Sequence, residues 1–310
     1  MPRLDRRSLL TASAASAALT AADAAPVPII DTHFHLHDQT RPQGAPYPFT
    51  PNQPPFLPKD FRASAIPLGI SGGIKVEASP WVEDNLWVLM VIHDEPMIVG
   101  MVGNLDPSKP EFRESLERYH RNKLFLGIRY GNIWPGHDIV AQVRNPDFIA
   151  NMKFFAQTRL TFEAANPRLD LVEATLRLAE KVPDLRIVLG HLQALALPAG
   201  AALRSYRANL EELRRHNVFV KVSGLHNPRP TQPRPKPFEP AVYRPVMDFI
   251  WDIFGEDRLV YAGRNKQALD ILMEYFLDKG RPAAEKFFWK NSVPAFRWVH
   301  RDPKQPKPGL

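Results

Sequence analysis

From Ile29 onward the chain alternates short, β-rich apolar runs with longer amphipathic ones, and it does so eight times. The first run, Ile29-Ile30-Asp31-Thr32-His33-Phe34-His35, is followed by Gly73–Ala78, Ile98–Asn104, Phe125–Arg129, Leu160–Glu163, Arg186–His191, Val218–Ser223 and Leu259–Ala262. Between them lie stretches with helical spacing of apolar residues: 82–93, 110–123, 146–157, 169–182, 202–216, 240–254 and 266–279, with a closing helix expected over 283–299. Eight strands alternating with eight helices over roughly 275 residues is the pattern of a (β/α)8 TIM barrel. A doubly wound open sheet would need a Gly-rich phosphate turn after an early strand, and the sequence has none. The 44 % apolar content suffices for a single large core, so residues 25–310 are read as one barrel domain.

Two segments interrupt the alternation. Residues 38–67 carry eight prolines, which no helix interior or central strand accommodates, so they are expected to form a long loop. Residues 226–240, rich in Pro, Arg and Lys, follow the seventh strand and read as a second loop over the barrel mouth. Ahead of the barrel, Arg6-Arg7 precedes an Ala/Ser/Leu segment and Ala22-Asp23-Ala24 offers small residues at cleavage-type spacing. Residues 1–24 are therefore read as a twin-arginine signal peptide, with export to the periplasm or beyond, rather than as a helix packed on the domain. The segment is too short and too weakly apolar to remain as a membrane span.

Lys and Arg exceed Asp and Glu by seven, and the pI is about 9.6. These charges are scattered among acidic residues without a recognition module, so nucleic-acid binding is not expected. A small anionic or carboxylated ligand is the partner this balance suits, and a homo-oligomer is compatible with it. The chain has no Cys, so a metal would have to be held by His and carboxylate.

In a TIM barrel the chemistry sits at the C-terminal ends of the strands. The first strand supplies His33 and His35, two residues apart and hence on one face, either as a metal-ligand pair or as hydrogen-bonded polar residues. The second gives Lys75 and Glu77, the fourth Arg129, the fifth Glu163, the sixth His191, the seventh Lys221 and Ser223, and the eighth Arg264 and Asn265. Three histidines with Glu163 make a mononuclear His/carboxylate site for one divalent ion, zinc being the best match, which would acidify a bound water and polarise a carbonyl.

The His-x-His ending the first strand, Gly127-Ile128-Arg129-Tyr130, Gly190-His191-Leu192, Lys221-Val222-Ser223-Gly224-Leu225, the strand after Phe254-Gly255-Glu256-Asp257-Arg258 and the late Trp289-Lys290-Asn291-Ser292 together resemble the amidohydrolase-related family. The resembling branch includes sugar-acid lactonases, pyrone-dicarboxylate lactonase and carboxymuconate-semialdehyde-type decarboxylases. The resemblance implies a (β/α)8 barrel that hydrolyses or decarboxylates small carboxylated substrates. It also implies metal ligands at His33, His35 and His191, and a substrate-carboxylate clamp at Arg129. Relatives of this kind usually end the eighth strand in Gly-Ser-Asp-Trp-Pro, where the Asp is the base. Here the run is Ala262-Gly263-Arg264-Asn265-Lys266, so an arginine stands where the carboxylate is expected.

Arginine cannot act as a base near neutral pH. Glu163 is then the first choice for the base, with His191 beside it. Asp270 reaching in from the last barrel helix is a remoter choice, and Arg264 and Lys221 become substrate-binding cations. The leading expectation is an exported lactonase-like hydrolase. The alternative is a descendant that has lost catalysis and binds an anionic small molecule in a cationic mouth of Arg129, Lys221, Arg229, Arg234, Lys236 and Lys266.

Overall fold

The computed structural model describes residues 25–42, 53–164, 168–192, 197–223, 225 and 239–308. Residues 1–24, on which the export expectation falls, and residues 226–238 of the second loop, with Arg229, Arg234 and Lys236, lie outside the described residues.

Eight parallel strands follow one another in sequence order around a nearly closed barrel: β1 Ile29–Phe34, β2 Ile70–Val76, β3 Ile98–Gly103, β4 Phe125–Tyr130, β5 Thr161–Ala164, β6 Arg186–Leu189, β7 Val218–Val222 and β8 Leu259–Tyr261. Helices wrap this sheet: α1 Pro58–Ala65, α2 Asp84–Val91, α3 Phe112–Tyr119, α4 Ile139–Gln142, α5 Pro146–Gln157, α6 Leu169–Lys181, α7 Gly200–Leu213, α8 Pro240–Phe254 and α9 Lys266–Asp278. The short α10 Arg281–Glu285 and α11 Ser292–Phe296 flank a π-helical turn at Lys286–Lys290. The expected TIM barrel is therefore present.

Two expectations about elements need correction. The last part of the Pro-rich run 38–67 is helical, because Pro58 occupies the first helical position, where its missing N–H costs nothing, and Asp60 accepts the backbone N–H of Leu57 at 2.8 Å. The single closing helix over 283–299 is broken by the π turn and ends where Arg297 adopts a left-handed conformation at φ 56°.

Two apolar layers result from this arrangement. Inside the barrel, Ile30, Ile74, Val99, Leu126, Val188, Phe219 and Val260 pack with Ala295, Phe296 and Trp298 of the C-terminal segment. That segment plugs the N-terminal end of the barrel: Thr161 donates to the Ala295 carbonyl at 2.7 Å, and Val299 N–H donates to Val99 O at 3.1 Å. The larger layer lies between sheet and helices, where Phe34 stacks on Phe61 at 3.9 Å between centroids. Gly127 belongs where it is because a Cβ there would meet the Thr161 carbonyl oxygen at 2.0 Å.

Paired ladders run from β1 through β8, and the seam between β8 and β1 is tied by side chains. Thr32 Oγ1 donates to Tyr261 O at 2.6 Å, and Gly263 N–H donates to Asp31 Oδ1 at 2.8 Å. The register of β1 against β2 slips between Asp31 and Phe34, so the strand bulges at Thr32 and His33.

Candidate active site

The bulge sets the histidines. Asp31 Oδ1 accepts the His33 backbone N–H at 3.0 Å, which fixes the local turn of β1. Beyond it the two rings meet edge to face, with Nε2 of His33 3.2 Å from Nε2 of His35. Nδ1 of His35 lies 3.1 Å from the Val76 carbonyl, which can only accept, so that nitrogen carries the proton and Nε2 is left with a lone pair. His191 sits just past β6 with φ 56°, a strained conformation for a residue with a side chain. Its ring centroid is 4.2 Å from that of His33, and Nδ1 shares a 2.6 Å hydrogen bond with Ser223 Oγ. The structure thus brings together the three histidines singled out from the sequence. Burial holds all three imidazoles neutral: His35 is lowered to about 3, and His33 and His191 fall well below the usual histidine value. Neighbouring cations, chiefly Arg129 and Lys221, reinforce the effect.

Glu163 and Lys221 lie beside this cluster, both fully buried. Lys221 Nζ donates to Glu163 Oε2 at 2.5 Å and is 3.3 Å from His33 Nδ1. Burial draws the lysine down to about 8, with the carboxylate of Glu163 opposing that fall. The other oxygen of Glu163, Oε1, is buried without a hydrogen-bond partner and lies 3.5 Å from His33 Nδ1. Arg129 lies between Glu163 and Glu77, with Nε 3.7 Å from Glu163 Oε1 and Nη1 3.6 Å from Glu77 Oε1. Trp134 Nε1 donates to Glu77 Oε2 at 2.9 Å.

These contacts allow two consistent proton arrangements. If Lys221 donates to His33 Nδ1, His33 donates from Nε2 to His35, and the row is closed. If His33 Nδ1 instead donates to the unpartnered Oε1 of Glu163, both Nε2 lone pairs face one point. Among the described residues no group of three or more His, Cys, Asp or Glu is already arranged to hold a metal. The second arrangement nonetheless fits one. Two ligands of a tetrahedral zinc stand about 3.3 Å apart, close to the 3.2 Å between these nitrogens, and the orphaned Glu163 oxygen is satisfied only by the tautomer that bares His33 Nε2. Carboxylate orientation of a ligating imidazole is the usual outer-shell arrangement at such sites.

Arg264 is not among the histidines. Its guanidinium lies 5.1–5.4 Å from the ring centroids of Phe34, Phe56 and Phe61, and Nη1 is 3.6 Å from Asp31 Oδ2. Arg264, found where the resemblance leads one to expect a carboxylate, therefore sits in an aromatic cage beside the barrel seam. Asp270 is turned to Lys266, whose Nζ donates to it at 2.5 and 2.6 Å on an exposed helix face, so neither belongs to the site.

Sequence reasoning gave no part to Asp31 or Trp134, and it placed Glu77 at a strand end without assigning it a role. A carboxylate in the middle of an apolar strand was a usable signal for Asp31, and the strand-end position was one for Glu77. Trp134, in an irregular loop, carried none.

The amidohydrolase family profile (Amidohydro_2) matches residues 30–263. The chain is 25 % identical over 246 residues to L-fucono-1,5-lactonase of Burkholderia ambifaria, covering 75 % of this chain and 78 % of that protein. Its fold is like that of an amidohydrolase from Burkholderia multivorans solved with bound zinc, at a TM-score of 0.73 and 18 % identity, over 87 % of this chain and 99 % of that one. A probable 2-pyrone-4,6-dicarboxylic acid hydrolase from Acinetobacter baumannii, solved with citric acid, is similar at a TM-score of 0.65 and 15 % identity, over 87 % and 99 % of the two chains. With three quarters of its length inside the family profile, and the barrel to go with it, the chain belongs to the amidohydrolase family.

Proposed function

We propose that the chain is a lactonase-like hydrolase that opens the ring ester of a small substrate and releases a hydroxy acid. The observation that carries this reading is Glu163: Lys221 holds one oxygen at 2.5 Å while the other is buried, unpartnered and 3.5 Å from His33. Oε1 has two lone pairs: in the metal-holding tautomer one accepts the His33 Nδ1 proton and the other stays open, and a carboxylate fixed in orientation with an open lone pair is what a general base requires. His33, His35 and His191 are the residues that would hold a divalent ion, zinc by the chemistry of three neutral imidazoles. When bound, the ion supplies Lewis acidity and an acidified water.

The chain's own residues do the rest. Glu163 takes a proton as a water oxygen adds to the ester carbon, and the proton returns to the ring oxygen as its bond to that carbon breaks. Lys221 keeps Glu163 aligned, and Ser223 fixes the ring of His191. Residues 1–24, read as an export signal, would place this reaction outside the cytoplasm.

The test is hydrolysis of an aldono-1,5-lactone, together with zinc content, for protein recovered from the periplasm. Wild type is expected to turn over with metal bound, and to be missing from that compartment when Arg6 and Arg7 are both replaced by Lys. Glu163→Gln is expected to lose about 10²–10⁴-fold in kcat, while His33→Ala loses the metal. Turnover by wild type that is metal-free, or turnover that survives both substitutions, would overturn the reading.

A further inference from the structure

Arg129 was expected to clamp a substrate carboxylate, yet its guanidinium already faces two carboxylates of its own chain. Glu77 Oε1 is 3.6 Å from Nη1 and Glu163 Oε1 is 3.7 Å from Nε, distances that give charge attraction without a hydrogen bond. Glu77 Oε1, Arg129 Nε and Glu163 Oε1 are all buried without partners. Lys221 takes up the remaining oxygen of Glu163, and Trp134 pins the remaining oxygen of Glu77. Two cations are thus matched by two carboxylates. A third buried cation, Lys75, has two carboxylates, Glu77 and Asp84, and one cation, Arg41, as its charged neighbours.

We infer that Glu77 is a specificity-determining residue: its carboxylate cancels the charge of Arg129, so the mouth admits an uncharged lactone and gives no advantage to a substrate carrying a carboxylate. The inference rests on the proposed lactonase-like reading of this mouth. Opposite unit charges a few ångströms apart attract strongly where water is excluded. Glu77 already holds that attraction, at 3.6 Å. An incoming carboxylate would have to displace a buried side chain fixed by Trp134, and would meet Glu163 beside it. Among the described cations, Arg129, Lys221, Arg264 and Lys266 each face a carboxylate of this chain.

Calorimetric titration with malonate tests this without requiring turnover. Wild type is expected to bind malonate weakly, and Arg129→Gln to change that affinity less than twofold. Glu77→Gln keeps an oxygen for Trp134 and is expected to tighten malonate at least tenfold, with Glu77→Gln/Arg129→Gln returning to the wild-type value. Tight binding by wild type that falls tenfold in Arg129→Gln would overturn the inference, and so would a folded Glu77→Gln with unchanged affinity. Should Glu77→Gln fail to fold, the comparison of wild type with Arg129→Gln decides alone. If the malonate pattern holds but no lactone is hydrolysed, the proposed reaction falls and the charge cancellation stands.

Discussion

A carboxylate removed from water survives as an anion only where donors and cations surround it. Asp31 is fully buried, and burial raises its pKa against the pull of Arg264 and of the N–H groups of Gly263 and His33. Arg264 is the cation of that set, and Phe34, Phe56 and Phe61 surround it as a cation–π cage. Replacing Arg264 by the carboxylate that the resemblance leads one to expect there, Arg264→Asp, would therefore set a second carboxylate beside Asp31. The expected result is a loss of about 3–5 kcal/mol in a urea unfolding experiment, as for other broken buried pairs, with no gain in lactone hydrolysis. The residue types of the site were legible in the sequence, since strand ends supplied His33, His35, His191, Glu163, Arg129 and Lys221. The direction in which Arg264 points was not. It depends on Gly263 at φ 131° and on three rings from distant parts of the chain.

At the scale of elements, β1 is the strand on which both closure and chemistry depend. Its bulge delivers His33 and His35 to the mouth, and its Asp31 and Thr32 replace a ladder at the seam with β8. Thr32 Oγ1 is buried and donates to the Tyr261 carbonyl at 2.6 Å. Thr32→Val keeps the shape but leaves that carbonyl unpaired, which costs about 1–3 kcal/mol and should appear as a lower urea midpoint with an unchanged m-value. Strands and helices of the barrel were readable because period-two and period-3.6 patterns alternate along the chain. The bulge was not readable, because register depends on which residues of β2 lie opposite. The helix Pro58–Ala65 was hidden for a different reason: proline content argues for a loop unless the proline falls at a helix start.

For the whole molecule, the buried mouth links folding to pH. His35 is lowered to about 3 and His33 and His191 well below their usual value, all chiefly by burial. Between pH 6.5 and about 3 an unfolded chain takes up protons on these three rings that the folded chain refuses. The unfolded state therefore binds more protons, and stability falls as pH falls through this window. Asp31 and Glu77 act in the opposite sense, because burial raises them and the folded state holds their protons more tightly. The slope of the acid limb therefore reports which of the two sets prevails. Lys75 and Lys221, both lowered to about 8, extend the trend on the alkaline side: between about 8 and 10.5 the unfolded chain again holds the extra protons, so stability rises with pH there too. Thermal unfolding of the metal-free protein followed from pH 4 to pH 9.5 should give a melting temperature that climbs up to about pH 6.5, stays level near neutrality and rises again above about 8. In His35→Gln, which cannot take up a proton, the acid limb should flatten while the alkaline limb is retained. A melting temperature that peaks at acid pH would mean that the carboxylates, not the imidazoles, dominate the buried mouth.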